Sequence, residues 1–217
     1  MRPVPVFVVF VAIPVFAGNA FAQTRDHRRG EIGASAGSAC LIESSACGGG
    51  RHAITGLFGS VWLTPRVEIG GRVALLRQPD IQAGGDYFLG PAQEHIPLRF
   101  AIRDRSRVYV LGHAYRHFGP DPRIRFFLGM ALGSYIVRST DICDTEACER
   151  NLARLGGPQA VGVQFGRTSH TRTNLALGLG VSGQYGLLGW RAGVNLHNFP
   201  GEHTGATELF IAAGFRF

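Results

Sequence analysis

Thr207–Phe217 reads TELFIAAGFRF, and its alternation decides how the rest of the chain is read. Counted back from the end, Phe217, Phe215, Ala213, Ile211 and Leu209 fall on one side of a strand. Arg216, Gly214, Ala212, Phe210 and Glu208 fall on the other. The period is two, with one apolar face and one face of small or charged residues, broken only at Phe210. In a soluble sheet the charged side would meet water and the apolar side a core. A strand that ends the chain on a bare Phe needs another reason for its apolar face.

The opposite end carries an export address. Arg2 is positive, Val4 to Phe16 is an apolar run, and Ala20-Phe21-Ala22 is a small-x-small cleavage site. Together they make a secretory signal peptide over residues 1–22. A spanning helix would need about 20 apolar residues, and Pro5 and Pro14 interrupt this run. The expected mature chain starts near Gln23, with a short polar leader over 23–29 and one domain over 30–217. No later stretch approaches the roughly 18 consecutive apolar residues of a membrane helix. The compartments left open are the periplasm, the exterior and an outer-membrane barrel.

Period-2 alternation recurs along the chain. Expected strands are Glu31 to Ala39, Ala53 to Leu63, Val67 to Arg77, one ending at Phe118, Ile124 to Val137, Asn174 to Tyr185, Trp190 to Phe199, and the final stretch. The fourth starts either near Pro97 or at Arg107 after a turn at Asp104-Arg105-Ser106. A hairpin within Ile96 to Tyr115 would raise the count from eight to ten. Gln78 to about Ile96 reads as a long loop, from Pro79, Gly84-Gly85 and Gly90-Pro91. Thr140 to Gly157 reads as another, with a helical turn over Glu146 to Leu155. Connections after strands two, four and six are short, and the others are longer.

The alternation has a sign. The one-sided faces carry Leu, Ile, Val, Phe and Met; the opposite faces are mostly Gly, Ala, Ser and Asn with scattered charge. A soluble sandwich would place the bulk inside and the charges outside. Here the bulk suits lipid and the small face suits the tight interior of eight closed strands.

HAYRHFGPDPRIRFFLGMALG (His113 to Gly133), NLALGLGVSGQYGLLGWRAGVNLHNF (Asn174 to Phe199) and the terminal GFRF resemble the bacterial outer-membrane β-barrel domain family. The resemblance implies an all-β, eight-stranded antiparallel transmembrane barrel of up-and-down type, porin-like, in a Gram-negative outer membrane. It implies short periplasmic turns, longer extracellular loops and a monomer. Its partners would be outer-membrane lipids, lipopolysaccharide and the barrel-assembly machinery, the last through the C-terminal strand. It implies no single activity.

With Arg2 removed, 21 Arg stand against 15 acidic residues, a net of +6, and there is no Lys. For an exported chain the expected anionic partners are lipid headgroups and lipopolysaccharide phosphates rather than nucleic acid, since Arg grips phosphate through two parallel hydrogen bonds. Glu31, Glu68, Arg72, Arg125, Arg191, Glu208 and Arg216 all fall on expected lumen faces. They are read as a salt-bridge network that plugs the barrel, with an ion path as the competing reading. The first and last strands should pair, bringing Glu31 to Arg216. Trp190, Phe215 and Phe217 should form part of an aromatic girdle. Cys40 with Cys47 and Cys143 with Cys148 are expected disulfides pinning outer loops.

No metal, cofactor or catalytic residue is expected. His113 and His117 on one strand face lie about 13 Å apart, too far to share one metal. One group of lipid A-modifying barrels carries a His and a Ser two residues apart. His113, His170 and His197 are followed at that spacing by Tyr115, Arg172 and Phe199. The favoured reading is a structural or surface-exposed role. The alternatives are a narrow channel, a lipid A-directed enzyme and a soluble exported barrel that binds an apolar ligand.

Overall fold

The computed structural model describes residues 30–43, 51–91, 93–121, 123–198 and 204–217. The expected signal peptide over 1–22, the leader over 23–29 and Cys47 lie outside the described residues. Nine strands and one helix follow in order: β1 (Gly30–Glu43), β2 (Arg51–Thr64), β3 (Val67–Arg77), β4 (Ile81–Leu89), β5 (Glu94–Phe118), β6 (Arg125–Ile142), α1 (Glu146–Arg154), β7 (Gly166–Tyr185), β8 (Leu188–Asn198) and β9 (Thr204–Arg216).

Every pairing is antiparallel. Eight strands close in the order β3-β2-β1-β9-β8-β7-β6-β5, and β3 completes the ring by pairing with β5. The fold is an eight-stranded antiparallel barrel. Closure satisfies both edges of each strand, which backbone in lipid requires. At the seam Glu31 stands opposite Arg216, and the backbones of Gly30 and Phe217 exchange two 2.9 Å hydrogen bonds. The short connections β2–β3, β5–β6 and β7–β8 share one end of the barrel with Gly30 and Phe217, the seam end. The longer connections share the other, called here the loop side.

The region expected as a long loop is different. Ile81–Leu89 is β4, hydrogen-bonded only to the loop-side end of β5, so the two form a hairpin above the barrel. β5 is one 25-residue strand, so the hairpin that would have made ten strands is absent. Between Arg103 and Ser106 it carries one extra residue relative to β6. The irregularity reverses the alternation: Ile96, Leu98 and Phe100 are buried before it, and Tyr109, Leu111, His113, Tyr115 and His117 after it. β7 begins eight residues earlier than its alternation suggests, because 166–173 pair with the loop-side half of β6.

Outward positions form an apolar belt. Ile32, Leu57, Phe126, Met130, Leu132 and Ile211 are each more than 60% exposed. A monomer in water rarely exposes so large a contiguous apolar surface, whereas lipid covers it without cost. The inward face departs from the expected Gly, Ala, Ser and Asn. Phe58, Trp62, Tyr109, Tyr115, Phe127, Tyr135 and Phe210 are all buried there. The small residues are the complement of these rings. A Cβ added at Gly129 or Gly178 would lie 2.7 or 2.8 Å from the ring of Tyr115. These glycines mark where an aromatic side chain lies flat across the neighbouring strands.

Candidate functional site

The barrel interior carries charge in two layers. Near the seam, Arg216 donates Nε to Glu31 at 2.9 Å, and Arg191 lies 3.0 Å from the other oxygen of Glu31. Arg191 also donates to Glu68 at 2.6 Å. Glu68 meets His113 at 3.2 Å through one oxygen and His117 at 3.0 Å through the other. The two imidazoles, four residues apart on β5, therefore converge on one carboxylate from above and below. Arg191 lies 4.5 Å from the Phe58 ring centroid and Arg216 lies 4.7 Å from that of Trp62. Those ring faces support the guanidiniums where water would otherwise solvate them.

Phe58, Tyr115, Phe127 and Phe210 pack together above this layer with Ala212. The second charged layer follows. Arg72 forks onto both oxygens of Glu208, at 2.8 and 2.5 Å, and its Nε donates to Ser35 at 3.2 Å. Asn195 donates to Glu208 at 2.9 Å, and His197 joins it at 3.2 Å while its other ring nitrogen meets Asn174 at 2.9 Å. Towards the loop side lies an apolar cluster that includes Leu41, Ile54, Leu76, Tyr109, Leu111 and Tyr135.

Six of the seven charged residues read from the sequence thus stand in these layers. Arg125 does not. It is half-buried at the turn side and donates to the Pro65 carbonyl at 2.6 Å. Phe215 and Phe217 are exposed, and Trp190 is half-buried on the outward face of β8, all at the seam end. Sequence reading missed Trp62, the rings of the interior, and the attachment of His113, His117 and His197 to the buried carboxylates. The period-2 spacing of His113, Tyr115 and His117 was the available signal.

Ser182 donates or accepts at 2.9 Å with His117, whose other nitrogen meets Glu68. The order Ser–His–Glu is that of an activated nucleophile. Ser182, however, is buried, and Glu68 is already engaged by Arg191 and His113. The hydroxyl and its imidazole are thus both built into the seam layer. Among the described residues no group of His, Cys, Asp and Glu is arranged to hold a metal ion.

On the loop side, a cap stands above the barrel. Leu98, Phe100 and Cys148 form its buried centre, with Tyr87, Leu152 and Phe165 packed around them. Phe100 and Phe165 meet edge to face at 5.5 Å. Thr145 caps α1 by accepting from the Cys148 amide at 3.2 Å, Glu146 and Glu149 fill the first turn, and Arg154 the last. All three side chains complement the helix ends. Cys143 and Cys148 are disulfide-bonded, which ties the end of β6 to the first turn of α1. Cys40 is also in a disulfide, and its expected partner Cys47 lies outside the described residues. Val161, Val163 and Phe165, just before β7, pack into the cap.

No family model matches the chain, and no curated protein matches it significantly. Solved structures do. Neisserial surface protein A superposes with a TM-score of 0.55 at 13% identity, over 87% of this chain and 97% of that one. Ail, the attachment invasion locus protein of Yersinia pestis, in complex with the heparin analogue sucrose octasulfate, superposes with a TM-score of 0.50 at 13% identity, over 87% and 99%. The chain has the fold of the small outer-membrane β-barrels. With that fold and its apolar belt, this barrel crosses a membrane by its strands; among the described residues no helix is long and apolar enough to do so.

Proposed function

We propose that this outer-membrane barrel is monomeric and non-conducting, and that it acts through the cap it holds at the cell surface, without catalysis. One observation carries the reading. Three buried carboxylates, Glu31, Glu68 and Glu208, are matched by three guanidiniums, those of Arg72, Arg191 and Arg216, in layers separated by packed rings. A water-filled path would have to break ion pairs that are costly to leave unmatched. The apolar cluster above them favours a plug over a channel.

In this reading the short turns and the seam lie in the periplasm and the cap lies outside, where an oxidising environment suits the disulfides. Trp190, Phe215 and Phe217 form part of the inner aromatic girdle, and the strand ending in Phe217 is what the assembly machinery engages. The sulfated ligand of Ail belongs to that protein; only the general kind, a surface-exposed barrel, is carried over. A soluble barrel with an apolar ligand is disfavoured because the apolar residues face outward, away from any internal pocket.

Membrane-impermeant thiol labelling of intact cells tests the orientation. Ala153→Cys, on α1, should label from outside. Arg123→Cys, at the turn between β5 and β6, should label only after the outer membrane is opened. The opposite pattern would sink the reading.

A further inference from the structure

The outward face changes abruptly at the loop side of β3, β5, β6 and β7. Leu75, Val108 and Ile136 pair across three of these strands as the last apolar row. Two positions on, Arg77 stands opposite Ser106, Ser106 opposite Arg138, and Arg138 opposite Ser169. In the next row Thr140 stands opposite Arg167. Neighbouring strands lie about 4.8 Å apart, so the backbones of Arg77 and Arg138 are about 10 Å apart. Ser106, Arg138, Thr140 and Arg167 line a recess of about 330 Å³ with Ser139 and Asp104.

Among the described residues, no side-chain hydrogen bond or ion pair engages the guanidiniums of Arg77, Arg138 or Arg167. Arg51, outward and exposed at the loop-side end of the neighbouring β2, extends the basic rim, whereas on β1, β8 and β9 the loop-side outward positions include Ser38, Leu196 and Thr207. On β6 the belt from Phe126 to Ile136 covers eleven residues, ten steps along the strand. At about 3.3 Å per residue and a tilt near 45° it is about 23 Å tall, close to the hydrocarbon thickness a barrel must match. Arg138 therefore sits where acyl chains end and headgroups begin.

We propose that Arg77, Arg138 and Arg167, with the hydroxyls of Ser106 and Thr140, bind the phosphates of a lipopolysaccharide headgroup in the outer leaflet. The proposal rests on the outer-membrane reading above. A guanidinium presents parallel donors that fit a phosphate oxygen pair, and three of them on adjacent strands suit a headgroup bearing more than one phosphate. Asp104, and Asp80 whose carboxylate accepts from the Asp104 amide at 3.2 Å, work against an anion in the recess, but the guanidiniums of Arg77, Arg138 and Arg167 outnumber them. The apolar row directly below receives the acyl chains of the same molecule, which free phosphate cannot exploit.

The test uses the intact protein in phosphatidylcholine nanodiscs, titrated with lipopolysaccharide, with the same lipopolysaccharide enzymatically dephosphorylated, and with inorganic phosphate. Wild type should bind the intact glycolipid at least tenfold more tightly than the dephosphorylated one, and inorganic phosphate should not compete. The triple variant Arg77→Gln/Arg138→Gln/Arg167→Gln should lose that tenfold preference while keeping the heat-modifiable migration of a folded barrel. Arg123→Gln, on the turn side, should bind as wild type does. Should the triple variant not fold, Arg138→Gln alone should weaken binding at least threefold and Arg138→Lys less. Equal binding of both glycolipids, unchanged binding by folded variants, or full competition by inorganic phosphate would each overturn the proposal. Failure of the outer-membrane reading would show separately, as absence of the protein from outer-membrane fractions.

Discussion

The barrel interior and the cap are held together by opposite means. Inside, the six ion-paired residues of the seam layer and the Glu208 layer come from four strands, every ion pair joins two different strands, and each carboxylate is fully buried. In the cap the ion pairs Arg154–Glu94 and Arg99–Asp86 are about half exposed, and the work falls to a small apolar centre, a helix cap and a disulfide. The same chemistry differs in consequence with burial. An exposed pair contributes little because water competes for both partners. A buried pair, once formed, is costly to break because the remaining charge has no solvent. The interior is therefore intolerant of single changes, whereas the cap tolerates them one at a time.

The largest expected effect is at Glu68. Glu68→Ala leaves Arg191 short of a partner and frees two imidazoles, and should cost about 3–5 kcal/mol. The urea midpoint in detergent, followed by tryptophan fluorescence, measures it; a shift no larger than that of a surface variant would erase the contrast between the two regions. Next comes the cap disulfide. Replacing Cys143 and Cys148 by Ser removes a short closed loop worth about 2 kcal/mol. The loss should appear as faster proteolysis within 143–165 with the barrel midpoint unchanged, so a matching fall in the barrel midpoint would show that the regions are one cooperative unit. Thr145→Ala should cost about 1 kcal/mol, read as faster hydrogen exchange in α1 alone. Smallest is Arg154→Ala, whose half-exposed pair with Glu94 should change cap stability by no more than about 0.5 kcal/mol. A double-mutant cycle with Glu94→Ala that returned several times that coupling would blur the distinction at its other end.

The two regions also differ in how legible they were. Alternation in β3, β6, β7, β8 and β9 is explicit in the sequence because lipid on one side and a narrow interior on the other leave little freedom at each position. That constraint ends with the membrane. Pro79, Gly84-Gly85 and Gly90-Pro91 are turn signals by local chemistry, yet β4 forms because β5 offers it a full ladder and because Ala83 and Tyr87 pack on the cap. The extra residue near Asp104 could not be placed, since a single insertion reverses the alternation without changing composition. Inside the barrel, charge was visible as residues out of keeping with their strand. By period Phe127 and Phe210 fall with the small face, and Gly180 and Gly193, which lie against the Phe127 ring, only make sense once strands distant in sequence are neighbours. The same holds for Ser182, whose partner His117 is 65 residues away.

The central claim is that the interior is closed and that the protein acts outside it. Planar-bilayer conductance of the purified, folded protein tests this most directly. The matched layers around Glu31, Glu68 and Glu208 predict no resolvable single-channel steps from the wild type. Reproducible steps from the wild type, abolished by heat-unfolding the same preparation, would contradict the account.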